Sequence, residues 1–194
     1  MATFEVRSLT LVRTLGELGY SVDVPKVASN WGLPFPDLIQ ALAPGIDLES
    51  FANYYARAME DEPPRLLPGS EEVLQRLHGR GIPALILSSS LTSLIQQDLR
   101  ALAIEQYIAE VFGSDRSPVR KPDPRSLKPA IQLLAGMGCL ESRILYIGDS
   151  LTDFVIAKDN GVSFVGVTTG FTTAAMMREG GFVGPVVSSL LELL

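Results

Sequence analysis

The feature that most constrains the fold is an alternation of short apolar runs with longer amphipathic stretches over the last two thirds of the sequence. Four runs predict strands with their carboxyl-end loops: Ile82–Ser90, Ile108–Gly113, Ser142–Ser150 and Val162–Gly170. The stretches between them have helical spacing, as at Val73, Leu74 and Leu77, and one is predicted to begin with Ser70 as its N-cap. Strands that alternate with helices predict an α/β fold with a doubly wound, Rossmann-like parallel sheet.

The first third of the sequence has a different pattern. Glycines and prolines separate segments that predict short helices: Leu9–Gly19, Pro25–Trp31, Pro36–Leu42 and Leu48–Asp61. The block ends at DEPPRLLPGS, whose prolines indicate a hinge before the sheet domain. The sequence therefore predicts a helical insertion near the amino terminus.

Composition excludes several classes of function. A formal net charge of −6 provides no broad basic surface for a nucleic-acid backbone. No apolar run is long enough to cross a bilayer, and the first residues lack the order of a secretory signal, so a cytoplasmic location without membrane contact is expected. Cys139 is the single cysteine, which excludes an internal disulfide or a multi-cysteine metal site. A small anionic ligand is still compatible with the negative net charge, because it needs only a local positive site.

The segment ILYIGDSLTDFVIAKDNGV carries the strongest candidate for chemistry. An apolar strand leads through a tight glycine turn into a helix, and Asp149 and Asp153 lie about one helical turn apart at the carboxyl end of that strand. Two carboxylates in this place can hold Mg²⁺, which prefers oxygen ligands. The alternative is structural: Asp149 and Ser150 cap the helix, and Asp153 favours its positive end.

Two further residues follow predicted strands. Ser88 ends the run ILSSS, where its hydroxyl can donate to a phosphoryl oxygen, although serine is common wherever a strand leaves a sheet. Lys121 lies in VRKPDP, where Pro122 favours an extended backbone; a loop lysine is usually solvated. Its role depends on whether this loop opens onto the same edge of the sheet as Asp149.

Three segments in this order and in these strand contexts resemble the haloacid dehalogenase superfamily, particularly its phosphoglycolate-phosphatase-like branch. LLPGSEEVLQRLHGRGIPALILSSS is similar to the second motif of that branch, RKPDP to the third and YIGDSLTD to the fourth. The resemblance covers nearly the whole chain. It implies an α/β core with a helical cap inserted after the first strand, with residues 1–10 and 67–194 in the core and 11–66 in the cap.

The resemblance also implies roles for these residues. In the family, an aspartate attacks a phosphomonoester, and Mg²⁺ and a lysine neutralise the phosphoryl charge. By motif, Ser88 would bind a phosphoryl oxygen, and Lys121 would bind phosphate and balance its charge. Asp149 would coordinate Mg²⁺, and Asp153 would hold its water or steady Lys121. Ser89 stands at a phosphate-binding position that is often asparagine in the branch.

The first motif of the family, DxDGT, is absent from the first third of the sequence. Its best remnant is FEVRSLTLV, which places Glu5 at the nucleophile position and Arg7 at the acid/base position. Glutamate is one methylene longer than aspartate, which costs roughly 100-fold where in-line geometry matters. A guanidinium cannot accept a proton, so Arg7 cannot replace the second aspartate. Two alternatives stay open: the segment is an ordinary short strand or the start of the first helix, or a true first motif lies upstream.

These observations predict a phosphatase-family protein that binds phosphate and Mg²⁺ but is catalytically impaired. Its partner would be phosphate or a small phosphorylated metabolite. One alternative is an active Mg²⁺-dependent phosphomonoester hydrolase that uses Glu5. A third possibility is a protein that keeps the fold alone, because a fold does not determine an activity.

Overall fold

A computed structural model describes residues 4–60, 64–116, 119–170 and 172–194. The chain divides into two compact units, Met1–Arg65 and Leu66–Leu194. The described part of the first unit is helical, with α1 (Phe4–Glu17), α2 (Val24–Asn30), α3 (Phe35–Leu42) and α4 (Leu48–Glu60). These helices match the four helices that the sequence predicts in this third of the chain.

The first unit has its own apolar core. Leu11, Leu15, Val27 and Ile39 are at most 1% exposed, and they lie on three different helices. The same unit contains an aromatic group, with the ring centres of Phe35, Phe51 and Tyr55 5.4 to 6.1 Å apart. The unit therefore buries the apolar faces of its helices against one another.

Of the two structural alternatives for Phe4–Arg7, a short strand is wrong and the start of the first helix is confirmed, because these residues form the first turn of α1. Ser8, Leu11 and Leu15 are buried along one face of this helix at spacings of three and four residues. Neither glycine nor proline interrupts the segment between Phe4 and Leu15. Helix α1 also runs without a break across the expected boundary between residues 10 and 11, and residues 4–10 cluster with the first unit.

The second unit alternates strands and helices as the sequence predicts. Its elements in chain order are α5 (Ser70–Gly79), β1 (Ala84–Leu87), α6 (Thr92–Ala101), β2 (Ile108–Phe112), α7 (Lys128–Gly136), β3 (Leu145–Gly148), α8 (Leu151–Asp159), β4 (Ser163–Val167), α9 (Ala174–Glu179) and β5 (Val186–Val187). One detail differs: Gly69 is the N-cap of α5, and Ser70 is its first helical residue.

All strand pairs are parallel, but within the described residues they form two sheets. Strand β1 pairs with β2, with Leu87 opposite Phe112. Strand β4 lies between β3 and β5, with Gly148 opposite Gly166. The α/β class with parallel strands is thus confirmed, while the expected strand before the helical insertion is not formed by residues 4–17.

One apolar cluster joins elements of both sheets. Its buried members come from β2, α7, α8 and nearby loops: Phe112, Leu127, Ala130, Ile131, Ile144, Ile156 and Val162. Leu85 and Leu87 of β1 and Tyr146 of β3 pack against the same cluster. This layer holds the ends of β1 and β3 in one unit, and those ends carry the candidate site. No helix in the described ranges combines the length and hydropathy needed to cross a membrane.

Candidate functional site

The end of β3 presents the two predicted aspartates. Asp149 follows Gly148, and Ser150 is the N-cap of α8. The Ser150 hydroxyl accepts a hydrogen bond from the Asp153 backbone N–H at 3.1 Å and donates to Asp153 Oδ2 at 2.7 Å. The structural alternative is therefore correct for Ser150, which caps the helix. The same contacts fix the orientation of the Asp153 carboxylate.

A nearly buried ion pair joins two of the predicted site residues. Lys121 Nζ lies 2.7 Å from Asp153 Oδ1, and the two side chains are 12% and 8% exposed. Tyr146 donates its hydroxyl to the same oxygen at 2.7 Å. The Lys121 ammonium also lies 5.4 Å from the centre of the Tyr146 ring. The loop that carries Lys121 therefore does reach the edge of the sheet where Asp153 lies.

The electrostatics of this group follow from its contacts. Burial acts to raise the pKa of Asp153, but the Lys121 charge and hydrogen bonds from Lys121, Ser150 and Tyr146 outweigh it, so the pKa lies below its usual value. Burial and the neighbouring Asp153 charge raise the pKa of the Tyr146 phenol. Asp153 is thus an anion at neutral pH, and Tyr146 is a neutral donor to it.

Asp149 has the opposite environment. Partial burial, together with the charge of Asp153, raises its pKa above the usual carboxyl value. As a whole residue Asp149 is exposed, so its carboxylate is accessible to a ligand from solvent. An accessible carboxylate beside a second anion favours a bound cation.

The residues present fit a Mg²⁺ ion that keeps several water ligands better than one that is coordinated by protein groups alone. Within the described ranges, no group of three acidic, histidine or cysteine side chains converges on one point. Both oxygens of Asp153 already accept hydrogen bonds, so this residue is suited to hold Lys121. Asp149 supplies one carboxylate, and Mg²⁺ is often held by one or two carboxylates together with water and phosphate oxygens. The role of Asp153 as a metal ligand stays a prediction.

Ser88 and Ser89 follow β1, and both are half-buried. The Ser90 N–H donates to Ser88 Oγ at 3.1 Å, which leaves the hydroxyl hydrogen of Ser88 available to a ligand. In the part of the chain that the structure describes, no hydrogen bond joins Ser88 to Lys121, Asp149 or Asp153. The phosphate-binding roles of Ser88 and Ser89 therefore stay predictions.

Glu5 and Arg7 lie on α1 in the first unit, and the Arg7 residue is 8% exposed. The side chain of Glu5 lies outside the described set. In the resemblance these two residues occupy a position that follows a strand, whereas here they are in the first turn of a helix. Their assignment as nucleophile and acid/base positions stays a prediction.

Sequence reasoning missed Tyr146 and Gly170, and it assigned Gly148 only to a tight turn. Tyr146 is an aromatic residue in an apolar strand, and nothing local indicates that its hydroxyl meets Asp153. A Cβ on Gly148 would lie 2.5 Å from Asp153 Cβ, and a Cβ on Gly170 would overlap the Asp149 carboxylate. Both glycines permit a close approach, a use of glycine that the motif GDSLTD signals for Gly148 alone.

The Tyr146 hydroxyl can be tested by Tyr146→Phe. Loss of a hydrogen bond to a buried carboxylate is expected to lower the free energy of unfolding by about 1.5–3 kcal/mol. Tyr107→Phe is the control, because that ring packs on His78 near β2, away from the ion pair. Urea unfolding of both variants measures the effect, and equal losses in the two would contradict this role of Tyr146.

Comparison with known proteins supports the predicted relationship. A family model described as haloacid dehalogenase-like hydrolase matches residues 3–167. A phosphoglycolate phosphatase of Caulobacter vibrioides is 34% identical over 140 residues, which are 72% of this chain and 56% of that protein. A phosphoglycolate phosphatase of Yersinia pestis is 30% identical over 123 residues, 63% of this chain and 51% of that one. The chain thus spans about half the length of the curated relatives it matches.

Among solved structures, one described as a predicted phosphoglycolate phosphatase from Haemophilus somnus 129PT superimposes with a TM-score of 0.82. The match covers 98% of this chain and 90% of that chain at 19% sequence identity. At this identity the likeness shows the fold alone.

Proposed function

This chain belongs to the haloacid dehalogenase-like hydrolase family, and on that premise we propose that it binds a phosphoryl group together with Mg²⁺ and hydrolyses phosphomonoesters weakly or not at all. The ligand would be inorganic phosphate or a small phosphorylated metabolite. The similarity to phosphoglycolate phosphatases supports this class of ligand. The observation that carries the binding half of the proposal is the Lys121–Asp153 pair beside the accessible Asp149.

Each residue has a defined part in phosphate binding. Lys121 has three N–H donors and uses one on Asp153, so two are left for phosphoryl oxygens. Asp153 and Tyr146 hold that ammonium in place. The Ser88 hydroxyl would donate to a further oxygen. Asp149 would hold Mg²⁺, which neutralises phosphate charge when it is bound.

The catalytic half of the proposal, weak or absent turnover, rests on helix α1. Attack on phosphorus needs a nucleophile held in line with the leaving group, and a proton acceptor beside it. The residues that the resemblance assigns to these tasks are Glu5 and Arg7, and both lie within α1. A guanidinium in the acceptor position cannot take a proton. These facts support weak turnover, and they do not favour the alternative in which Glu5 is the nucleophile.

The experiment is calorimetric titration with sodium phosphate, with and without MgCl₂, followed by a Mg²⁺-dependent phosphomonoester assay. We expect phosphate binding that requires Mg²⁺ and is weakened at least about tenfold by Asp149→Asn, because one carboxylate ligand is lost. Asp159→Asn at the far end of α8 is the matched control and should leave the affinity unchanged. Because the pKa of Asp149 is raised in the folded protein, its replacement by neutral asparagine should not destabilise the fold at pH 7, so a loss of affinity reports on binding.

Two results would contradict the proposal. If millimolar phosphate does not bind in the presence of Mg²⁺, the proposed binding of a phosphoryl group is wrong. If the protein hydrolyses phosphomonoesters rapidly and Asp149→Asn abolishes this activity, the proposed weak or absent turnover is wrong. Glu5→Gln then separates the two activity models, because it should leave any residual turnover unchanged unless Glu5 is the nucleophile.

A further inference from the structure

The turn after β1 carries Ser88 and Ser89, and helix α6 begins shortly after it at Thr92. The N-cap of this helix is Leu91, whose side chain has no oxygen that could accept a hydrogen bond from the first helical turn. The Thr92 N–H instead donates to Asp115 Oδ1 at 2.8 Å, across 23 residues of sequence. A residue that follows β2 therefore satisfies the first donor of the helix that follows β1.

Asp115 contacts Thr92 through two hydrogen bonds. Besides the N–H, the Thr92 hydroxyl donates to Asp115 Oδ1 at 2.8 Å, and this hydroxyl accepts from the Gly113 N–H at 3.3 Å. Burial acts to raise the pKa of Asp115, but the two bonds from Thr92 and the charge of Arg116 outweigh it, so the pKa lies below its usual value. Asp115 is thus an anion at neutral pH, which the positive end of α6 also favours.

The end of β2 and the start of α6 leave no room for a side chain between them. A Cβ on Gly113 would overlap the Thr92 backbone nitrogen and would lie 2.6 Å from the Thr92 hydroxyl oxygen. Thr92 is 6% exposed, so it lies inside this junction. Glycine is the residue that permits such a close approach. The contact between Asp115 and Thr92 therefore belongs to a tightly packed junction.

Two backbone hydrogen bonds hold the turn itself. The Ser88 N–H donates to Phe112 O at 3.0 Å, and the Ser114 N–H donates to Ser90 O at 2.8 Å. Ser89 lies between these two anchored residues. The turn is thus fixed at its first residue, at its third residue and at the helix that follows it.

We propose that Asp115 is a positioning residue for phosphate binding: through Thr92 it fixes the start of α6, and with it the place at which the Ser88 hydroxyl is presented. This role rests on the proposed binding of a phosphoryl group at Ser88. A group that binds a ligand has to be held within about 0.5 Å of its productive position, and the residues around it do this through packing and hydrogen bonds. Asp115 supplies two of those hydrogen bonds.

Asp115 is not suited to contact the phosphate. Its Oδ1 already accepts two hydrogen bonds from Thr92, and its negative charge would repel a phosphoryl group. A helix cap can also act on stability alone. The two roles differ in one measurable respect: a cap that only stabilises α6 leaves the phosphate affinity of the folded protein unchanged, whereas a positioning residue changes it.

The first measurement is calorimetric titration with sodium phosphate in the presence of MgCl₂. We expect Asp115→Ala to weaken phosphate binding at least about fivefold, because the Ser88 hydroxyl is no longer held in place. Asp115→Asn should stay within about twofold of wild type, because its amide oxygen can accept both hydrogen bonds from Thr92.

The matched control is Asp47→Ala. Asp47 accepts hydrogen bonds from the backbone N–H and the hydroxyl of Ser50 at the start of α4, as Asp115 does from Thr92. Its loss removes a helix cap but should leave the phosphate affinity unchanged. If Asp115→Ala does not fold, Thr92→Val provides the same comparison and should also weaken binding, because it removes one of the two bonds to Asp115 with little change in volume.

A double-mutant cycle tests whether Asp115 acts through Ser88. In a Ser88→Ala background, Asp115→Ala should weaken binding by no more than about a further twofold, because the group that it positions is gone. Nitrogen-15 relaxation without ligand reports on the turn directly. The order parameters of the Ser89 and Ser90 amides should fall from about 0.85 to below about 0.6 in Asp115→Ala and stay high in Asp115→Asn.

Two results would overturn the positioning role of Asp115. One is an equal loss of affinity from Asp115→Ala in the wild-type and Ser88→Ala backgrounds, and the other is a set of order parameters that Asp115→Ala leaves unchanged. If the wild type does not bind phosphate, the proposed function is wrong. If the wild type binds phosphate and Asp115→Ala binds it as tightly, only the positioning role is wrong.

Discussion

Asp153→Ala is expected to lower the free energy of unfolding by about 3–5 kcal/mol at pH 7, because it leaves the Lys121 ammonium buried without its counter-charge. Lys121 is 12% exposed, so water compensates little of the loss. Tyr146 and Ser150 would lose their acceptor at the same time. Urea unfolding with a two-state fit measures the change.

The ion pair Asp123–Arg125 offers a matched control. Its N–O distance is 2.6 Å, but the two side chains are 30% and 67% exposed. Asp123→Ala should therefore destabilise the protein much less than Asp153→Ala, although it also removes a capping bond to the Arg125 N–H. Similar losses in the two variants would contradict the importance of burial.

Acid titration tests the charge of Asp153 in the same ion pair. The pKa of Asp153 is lowered in the folded protein, so its stabilisation is complete above the unfolded carboxyl value and is lost as pH falls through the folded value. The difference between wild type and Asp153→Ala should therefore begin to shrink below about pH 4. A difference that grows on acidification would be inconsistent with an ionised Asp153.

Gly148→Ala is the second large effect that we expect, about 2–3 kcal/mol of destabilisation with loss of phosphate binding. A Cβ at this position would lie 2.5 Å from Asp153 Cβ and 2.7 Å from its Cγ. The Cβ of Asp153 is fixed to the backbone of α8, so the strand end or the helix must move. Either shift displaces the carboxylate that holds Lys121.

Gly136→Ala is the control for this substitution. Gly136 ends α7, and a Cβ there would meet no atom within 4 Å. Alanine is the better helix former, so this variant should be neutral or more stable by up to about 1 kcal/mol. Thermal unfolding and phosphate titration of both variants provide the comparison. A harmless Gly148→Ala would show that the glycine is not needed for the close approach.

Most of the second unit could be predicted from local pattern. Each predicted strand contains an observed one, and α7 begins at Lys128 with Pro129 in its first turn, where proline is tolerated. The prediction of a strand in the segment FEVRSLTLV was wrong for a physical reason. A short apolar run fits a strand or a helix equally well by periodicity, and burial of Ser8, Leu11 and Leu15 in the first unit decides for the helix.

The sequence by itself determined the class of the fold, the family and the loops that carry Ser88, Lys121 and Asp149. The spacing of apolar residues and the spacing within motifs are local properties, so they can be recognised without a structure. The tertiary structure alone decided the pairing of Lys121 with Asp153 across 32 residues, and the hydroxyl of Tyr146 that completes it. Among the described residues it also decided which strands pair, β1 with β2 and β4 with both β3 and β5. Pairing and burial depend on which distant segments meet, and no local pattern encodes that.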